Sequence, residues 1–279
     1  MNNDIKVALC CIAKLENNYI IEFIEHYLNL GFNKIYIYDN NDIDGEQFND
    51  KILDYINNGT VVVINKRGLR VQQFKVYSEC YDEYKYKYDY ICFFDCDEFL
   101  ILNKHNTIQE YLSQPKFNNY NLICINWQIY DDNELLYYEN IPVKERFTHK
   151  ISDNLKYYNI DPPRKANSYF KTIAKCINNY NIKFYNAHTG ILDNSKRCNS
   201  IGEEIILEDY DFNMFDDSLV NLDEAYLAHY TYKTAEEYKL KMYKGNTDYD
   251  YNGYTKELFF MINRYSKEKE NILDNFNVS

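Results

Sequence analysis

The first hundred residues alternate between two apolar rhythms, and this alternation constrains the fold more than any other feature of the chain. Ile5 to Ala13, Lys34 to Tyr38, Val61 to Ile64 and Tyr90 to Phe94 are short, largely apolar runs. Their length and continuity are those of strands covered on both faces. Between the first two, Tyr19 to Leu30 sets Ile20, Ile21, Phe23, Ile24, Tyr27, Leu28 and Leu30 as one broad apolar helical face and meets Gly31, a residue suited to the left-handed turn that ends a helix. Phe48 to Asn57, stopped by Gly59, and Leu69 to Tyr88 read as further helices. The order β-α-β-α-β-α-β predicts a parallel, doubly wound sheet, because parallel neighbours need a helical crossover. Such sheets bind ligands at the carboxyl ends of their strands. Ala13, Lys14, Asp39, Arg67, Arg70, Asp95 and Asp97 fall at those ends.

The fourth run is the one with chemistry attached. Tyr90-Ile91-Cys92-Phe93-Phe94 passes directly into Asp95-Cys96-Asp97-Glu98, after which apolar residues resume at Phe99 and Leu100. On an extended chain Asp95 and Asp97 leave the same side, and two carboxylates aimed at one point repel unless a cation lies between them. A hard divalent ion, Mg²⁺ or Mn²⁺, that also bridges phosphate oxygens meets this need. An Asp-x-Asp pair in an acidic chain is equally a solvated turn, and its position after a buried strand is what favours the metal reading.

Composition narrows the classes. The chain has 279 residues and a formal charge of −12, which argues against binding nucleic acid through a basic patch. No apolar stretch approaches the roughly 18 to 20 residues of a membrane span. Met1 to Lys6 is polar, so no signal peptide is expected. The eight cysteines are scattered, with no C-x-x-C pair, which fits reduced thiols in a cytoplasmic protein and no zinc or disulfide framework. The 31 tyrosines read as compositional bias, although spare tyrosines can stack on sugar rings.

Beyond residue 105 the pattern is looser. Thr107 to Leu112 is a short helix, and Leu122 to Tyr130 is a strand that carries Trp127 and ends in Asp131-Asp132-Asn133. Residues 141–167 are polar, with Pro142, Pro162 and Pro163 and a scatter of basic residues, and suggest a mobile segment over a site. Tyr169 to Cys176 and Ile182 to Tyr185 read as short strands, the second just before His188. Ala225 to Tyr232 is apolar around His229. Thr234-Ala235-Glu236-Glu237 is a capping box that opens a helix through Lys244, with Gly245 as its stop. Leu258 to Ser266 reads as a terminal helix, with fraying beyond it. His26 and His105 are expected at the surface.

The segments CIAKLENNYIIEFIEHYLNLGFNKIYIYDNND, RGLRVQQFKVYSECYDEY and YDYICFFDCDEFL resemble GT-A-type glycosyltransferases, family-2-like and related to glycosyltransferase family 92. INWQIYDDN, ERFTHK and LAHYTYKTAEEYKLKMYKGN continue the similarity in order, from Val7 to about Gly245. The resemblance implies a GT-A (Rossmann-like) α/β fold, a mostly parallel sheet with flanking helices. Residues 1–104 would form the nucleotide-sugar-binding half, and 105–279 the smaller acceptor-side half of the same domain with its C-terminal helices. It implies a UDP-sugar donor, a glycan or other hydroxyl acceptor, as in polysaccharide biosynthesis, and Mn²⁺ or Mg²⁺ as cofactor. By the motif match, Ala13 and Asp39 would line the nucleoside pocket and Arg70 and Gln73 would face the diphosphate or donor sugar. Asp95 would lie towards ribose and metal, and Asp97 would hold the metal. His229, in the H-Y-x-x-K-[ST]-x-E-E context, has Thr234 where Ser is commoner.

His229 competes with His188 as the further metal ligand, since either could equally be a hydrogen-bonded structural histidine. Lys233, Lys239, Lys241 or Arg146 would supply positive charge to the leaving diphosphate. If the reaction inverts the anomeric centre, a carboxylate must deprotonate the acceptor hydroxyl. Asp131 and Asp132 are the candidates, with a solvated turn as the plainer reading. Trp127 is core or a sugar-stacking platform. Two other classes remain at this stage. A nucleotidyltransferase or pyrophosphorylase would carry a Gly-rich basic loop after the first strand, which CIAKLENN lacks. A non-catalytic binding domain on the same fold would not need the Asp95/Asp97 pair.

Overall fold

The computed structural model describes residues 5–70, 73–157, 162–192, 195–206, 213–214, 216–244 and 253–275. The expected alternation is present as β1 (Val7–Ala13), α1 (Ile20–Asn29), β2 (Lys34–Asp39), α2 (Asn49–Asn57), β3 (Val61–Asn65), α3 (Gln73–Tyr84) and β4 (Tyr90–Phe93). β3, β2, β1 and β4 lie side by side, all parallel, which is the strand order of half a doubly wound sheet. The period of two along β1 explains why the run is apolar throughout. Val7, Leu9, Cys11 and Ala13 pack with Phe23, Ile24 and Tyr27 of α1, whereas Ala8 and Cys10 face Val76, Tyr77 and Tyr81 of α3 on the other side.

The chain continues through β5 (Glu98–Leu102), α4 (Ile108–Leu112), β6 (Leu122–Ile129), α5 (Val143–Arg146), β7 (Lys156–Tyr157), β8 (Arg164–Lys165) and β9 (Phe170–Lys175). Short pieces follow, β10 (Lys183–Phe184), β11 (Gly190–Ile191), β12 (Arg197–Cys198) and β13 (Glu204–Ile205), and then β14 (Ala225–His229). Three helices close the described chain, α6 (Ala235–Lys244), α7 (Lys256–Ile262) and α8 (Lys267–Asp274). β9 enters the sheet between β4 and β6 and runs antiparallel to both, so the sheet is mostly parallel. β14 lies between β5 and β6, antiparallel to the first and parallel to the second. Among the described residues no helix is long and apolar enough to cross a membrane.

Several expectations are corrected. The third helix starts at Gln73 and ends at Tyr84, short of Leu69 and Tyr88. The segment 141–167, expected to be mobile, is anchored at points along its described part: Val143, Arg146, Phe147, Ile151 and Ala166 are buried, while most residues between them are exposed. Its prolines and basic residues hid a short helix whose arginine is an interior ion-pair partner. The chain after Ser266 does not fray at once, because Ser266 Oγ accepts from the Lys269 N–H and caps α8. His26 is not a surface residue; its ring lies between Tyr27 and Phe99 and its Nε2 contacts the Leu100 carbonyl at 2.9 Å. The capping box forms as expected. Thr234 Oγ1 accepts from the Glu237 N–H at 3.1 Å, and Glu237 Oε2 accepts from the Thr234 N–H at 3.3 Å. Gly245 lies outside the described residues. All eight cysteines are free, and all but Cys176 are buried.

Candidate active site

β4 ends in a closed turn. The Glu98 N–H donates to the Asp95 carbonyl at 3.0 Å, and the Asp95 N–H donates to Glu98 Oε2 at 2.8 Å. The fully buried Glu98 carboxyl therefore latches the turn that presents both aspartates, and the chain leaves as β5. β14 then pairs with β5 so that His229 stands opposite Glu98, and the Tyr230 N–H donates to the Asp97 carbonyl at 2.9 Å. This pairing carries a histidine from late in the chain to the side of Asp97. Its Nε2 lies 3.5 Å from Asp97 Oδ1.

The two aspartates open into a cleft of about 690 Å³ whose walls include Trp127, Tyr169, His188, Thr231, Lys241 and Tyr254. A narrower arm of about 80 Å³ runs towards the ends of β1 and β2, past Ala13, Lys14, Asn40 and Lys244. Gln73, Asp95, Asp97, Lys241 and Tyr254 line both spaces. The single tryptophan stacks on Tyr169 with ring centroids 4.8 Å apart and touches His188 and His229. It is thus a wall of the cleft, not interior core alone.

The carboxylates are held differently. Asp95 Oδ1 accepts from Gln73 Nε2 and, at 2.9 Å, from the Tyr77 hydroxyl, while Oδ2 is 2.8 Å from Lys171 Nζ. Burial pushes Asp95 up, and the Lys171 ammonium outweighs it and holds the carboxyl below its ordinary range. Asp97 Oδ2 is 2.5 Å from Lys241 Nζ. Burial again raises it, and Lys241 with His229 holds it well below the ordinary range. Burial depresses both histidines, His188 to about 3 with help from Lys171, and His229 less strongly because Asp97 partly offsets the desolvation. Both rings are therefore neutral near pH 7. His188 Nδ1 bonds to the Phe170 carbonyl at 2.8 Å, which fixes that nitrogen as the donor and leaves Nε2 a lone pair. A backbone carbonyl holding the second nitrogen is the arrangement found behind metal-bound imidazoles.

Of the residues singled out in the sequence, Ala13, Lys14, Gln73, Asp95, Asp97, Trp127, His188, His229 and Lys241 line this space. Asp39, Arg67, Arg70, Arg146, Lys233, Lys239, Asp131 and Asp132 do not. Asp39 is 5% exposed, and its oxygens are taken by Arg67 Nη1 at 3.0 Å and by the Asn41 backbone and side chain. It orders the loop after β2, and its neighbour Asn40 reaches the narrow arm. Arg70 is exposed ahead of α3 and does not line the cleft. Lys233 is buried with Nζ 4.0 Å over the Tyr19 ring. Asp131 Oδ1 accepts from the Asn133 N–H in a local turn, and Asp132, 2% exposed, pairs with Lys269 at 2.6 Å. Neither aspartate lines the cleft. Sequence reasoning missed Lys171 altogether, because a lysine in FKTIAK reads as the solvent side of a strand. β9 has neighbours on both edges and layers on both faces, and Lys171 is fully buried.

The sheet is an α/β layer whose carboxylates and imidazoles converge on one cleft at its carboxyl edge, where sheets of this kind bind their ligands. The sequence profile of Glycosyltransferase family 92 matches residues 6–268, and the chain belongs to that family of glycosyltransferases. No curated protein matches it. Among solved structures it is similar to "Crystal structure of S. aureus TarS 1-349", at 12% identity and TM-score 0.35, over 48% of this chain and 39% of that one. It is also similar to the same protein "in complex with UDP", at 11% identity and TM-score 0.36, over 48% and 38%. The match thus spans about two fifths of each TarS chain.

Proposed function

We propose that the chain transfers a sugar from a UDP-sugar to a hydroxyl of a glycan or other acceptor, with a divalent cation at the donor diphosphate. The observation that carries this reading is the convergence of Asp95, Asp97, His188 and His229 on one cleft at the carboxyl end of β4, in a member of a glycosyltransferase family. Residues 1–104 would hold the donor, through the narrow arm at Ala13 and Asn40, and residues 105–279 would build the acceptor side, through the aromatic wall of Trp127 and Tyr169. Seven buried thiols fit work in a reducing compartment such as the cytoplasm.

Asp97 and His229 offer one carboxylate and one imidazole, donor types that Mn²⁺ accepts; among the described residues no group of three or more such side chains is placed to hold an ion alone, so most of its coordination would come from outside the chain. Asp97 Oδ1 and His229 Nε2 lie 3.5 Å apart, at the outer edge of hydrogen-bond range, so one ion could be reached by both. His229 Nδ1 is buried without a hydrogen-bond partner, while the ring packs on Trp127 at 4.1 Å and keeps Nε2 towards Asp97. Asp97 would be the first ligand, His229 or His188 the next, and Asp95, whose oxygens are already engaged, would act through its position. When bound, the cation would neutralise charge that develops on the departing diphosphate. The chain's own contribution is to hold that charge beside Lys241 and to exclude water with Trp127 and Tyr254.

The test is thermal stability of the full chain. UDP with Mn²⁺ should raise Tm, and Asp97→Ala should abolish the rise. A wild-type protein indifferent to UDP, with and without Mn²⁺, would remove the donor assignment.

A further inference from the structure

Asp95 and Asp97 meet two different kinds of lysine. Lys171 belongs to the interior of the sheet: it is fully buried, its backbone is in register with Ile125, and Nζ donates to the Ala187 carbonyl at 3.1 Å. Lys241 reaches in from α6, near the end of that helix, and its side chain is 16% exposed. Its Nζ touches Asp97 Oδ2 at 2.5 Å and donates to Thr231 Oγ1 at 2.6 Å, 4.8 Å from the Tyr254 ring centroid. The cations flanking it on the narrow arm are already matched, Lys244 with Glu16 at 2.7 Å and Lys14 with Asp42 at 2.9 Å.

We propose that Lys241 is a displaceable counter-ion, which neutralises Asp97 while the cleft is empty, competes with a divalent cation for that carboxylate, and moves to the donor's diphosphate when cation and nucleotide bind together. The proposal rests on the reading of the cleft as a nucleotide-sugar site. Its physical basis is charge balance. A buried carboxylate left unpaired is costly, so Asp97 needs a cation before any ligand arrives. A divalent ion on the same carboxylate would then face an ammonium of like sign, while the diphosphate brings negative charge to the space Lys241 already lines. A lysine on a flexible four-carbon stem can follow that charge over a few ångströms. Lys171, enclosed in the sheet, cannot, and stays with Asp95.

Mn²⁺ binding to the full chain, measured by calorimetry with and without UDP, separates the outcomes. Lys241→Met should bind Mn²⁺ alone about tenfold more tightly than wild type, since a competing positive charge is gone. UDP at saturating Mn²⁺ should bind the same variant about tenfold more weakly. Lys241→Gln, which keeps a polar partner for Thr231, should follow the same opposed pattern if the methionine variant folds poorly. Mn²⁺ affinity that is unchanged or weaker in both variants overturns the inference while leaving the donor assignment standing. A folded wild-type chain that binds neither Mn²⁺ nor UDP removes the functional reading, and the inference with it.

Discussion

Arg146 grips Glu237 through two parallel hydrogen bonds of 2.8 and 2.9 Å, with both side chains almost wholly buried. Glu237 also accepts from the Tyr19 hydroxyl at 2.6 Å and from Thr234, so one carboxylate ties α5, the N-terminus of α6 and the entrance to α1 together. Removing one partner of a buried pair strands the other charge. Arg146→Ala should therefore cost about 3–5 kcal/mol in urea unfolding. Arg146→Lys should restore only part of this, because a point charge cannot reproduce the fork. A loss below 1 kcal/mol in both variants would show that the pair is not a tie.

Lys171 stands 2.8 Å from Asp95 Oδ2 and 3.9 Å from Glu98 Oε1. Burial drives Glu98 well above its ordinary range, only partly countered by Lys171. Lys171→Met leaves the two acids facing each other without a cation and should destabilise the fold by about 3–5 kcal/mol. Adding Glu98→Gln should recover part of the loss, a coupling of about 1 kcal/mol or more in the double-mutant cycle. Strict additivity would contradict the cluster.

His26 supplies a pH dependence with a defined sign. Burial first, then the neighbouring Lys144, lowers it to about 4 from an unfolded value near 6.5. The unfolded chain thus takes up a proton that the folded chain refuses, and stability falls as pH drops below about 6.5 towards 4, by at most about 1.4 kcal/mol per pH unit from this ring. Urea unfolding at pH 7 and pH 5 should show a smaller acid loss in His26→Gln than in wild type. Parallel acid losses in the two proteins would refute the assignment.

Asp132 is an anchor of the loop after β6. It pairs with Lys269 at 2.6 Å, accepts from the Glu134 N–H, and its own N–H donates to Asn263 Oδ1 at 2.8 Å, which pins the loop after β6 to the last helices. Asp132→Asn should lower stability by about 1–3 kcal/mol while leaving UDP affinity within about twofold of wild type. A selective loss of transfer with stability intact would return it to the role of base.

The sequence is most readable where structure is local. β1 to β4 and their helices follow from periods of two and 3.6, and the Thr234–Glu237 cap from four consecutive residues. The site is legible only in part, since Asp95 and Asp97 sit at a strand end while their partners arrive by register. Nothing near Lys171 signals that β9 will be covered on both faces. β5 starts on a charged residue, Glu98, and is a strand because β14 pairs with it. Arg146, expected to offer its charge to a leaving diphosphate, is committed to Glu237, a partner 91 positions away that no local pattern reveals. Asp39 shows the converse: its place at a strand end suggested a ligand contact, but Arg67, 28 residues on, takes the carboxylate.

The seating of β14 between β5 and β6 also orders events during synthesis. Lys241 is 144 positions from Asp97, so a ribosome that has delivered the Asp95–Glu98 turn has not yet made the side chains that complete the cleft. Until Ala225–His229 emerges, β5 and one edge of β6 lack the strand that joins them, and open edges of this kind invite pairing with other chains. The last of the described strands is thus both the one that assembles the site and the one that hides its adhesive edges, so a nascent chain stalled before residue 225 should be prone to aggregate.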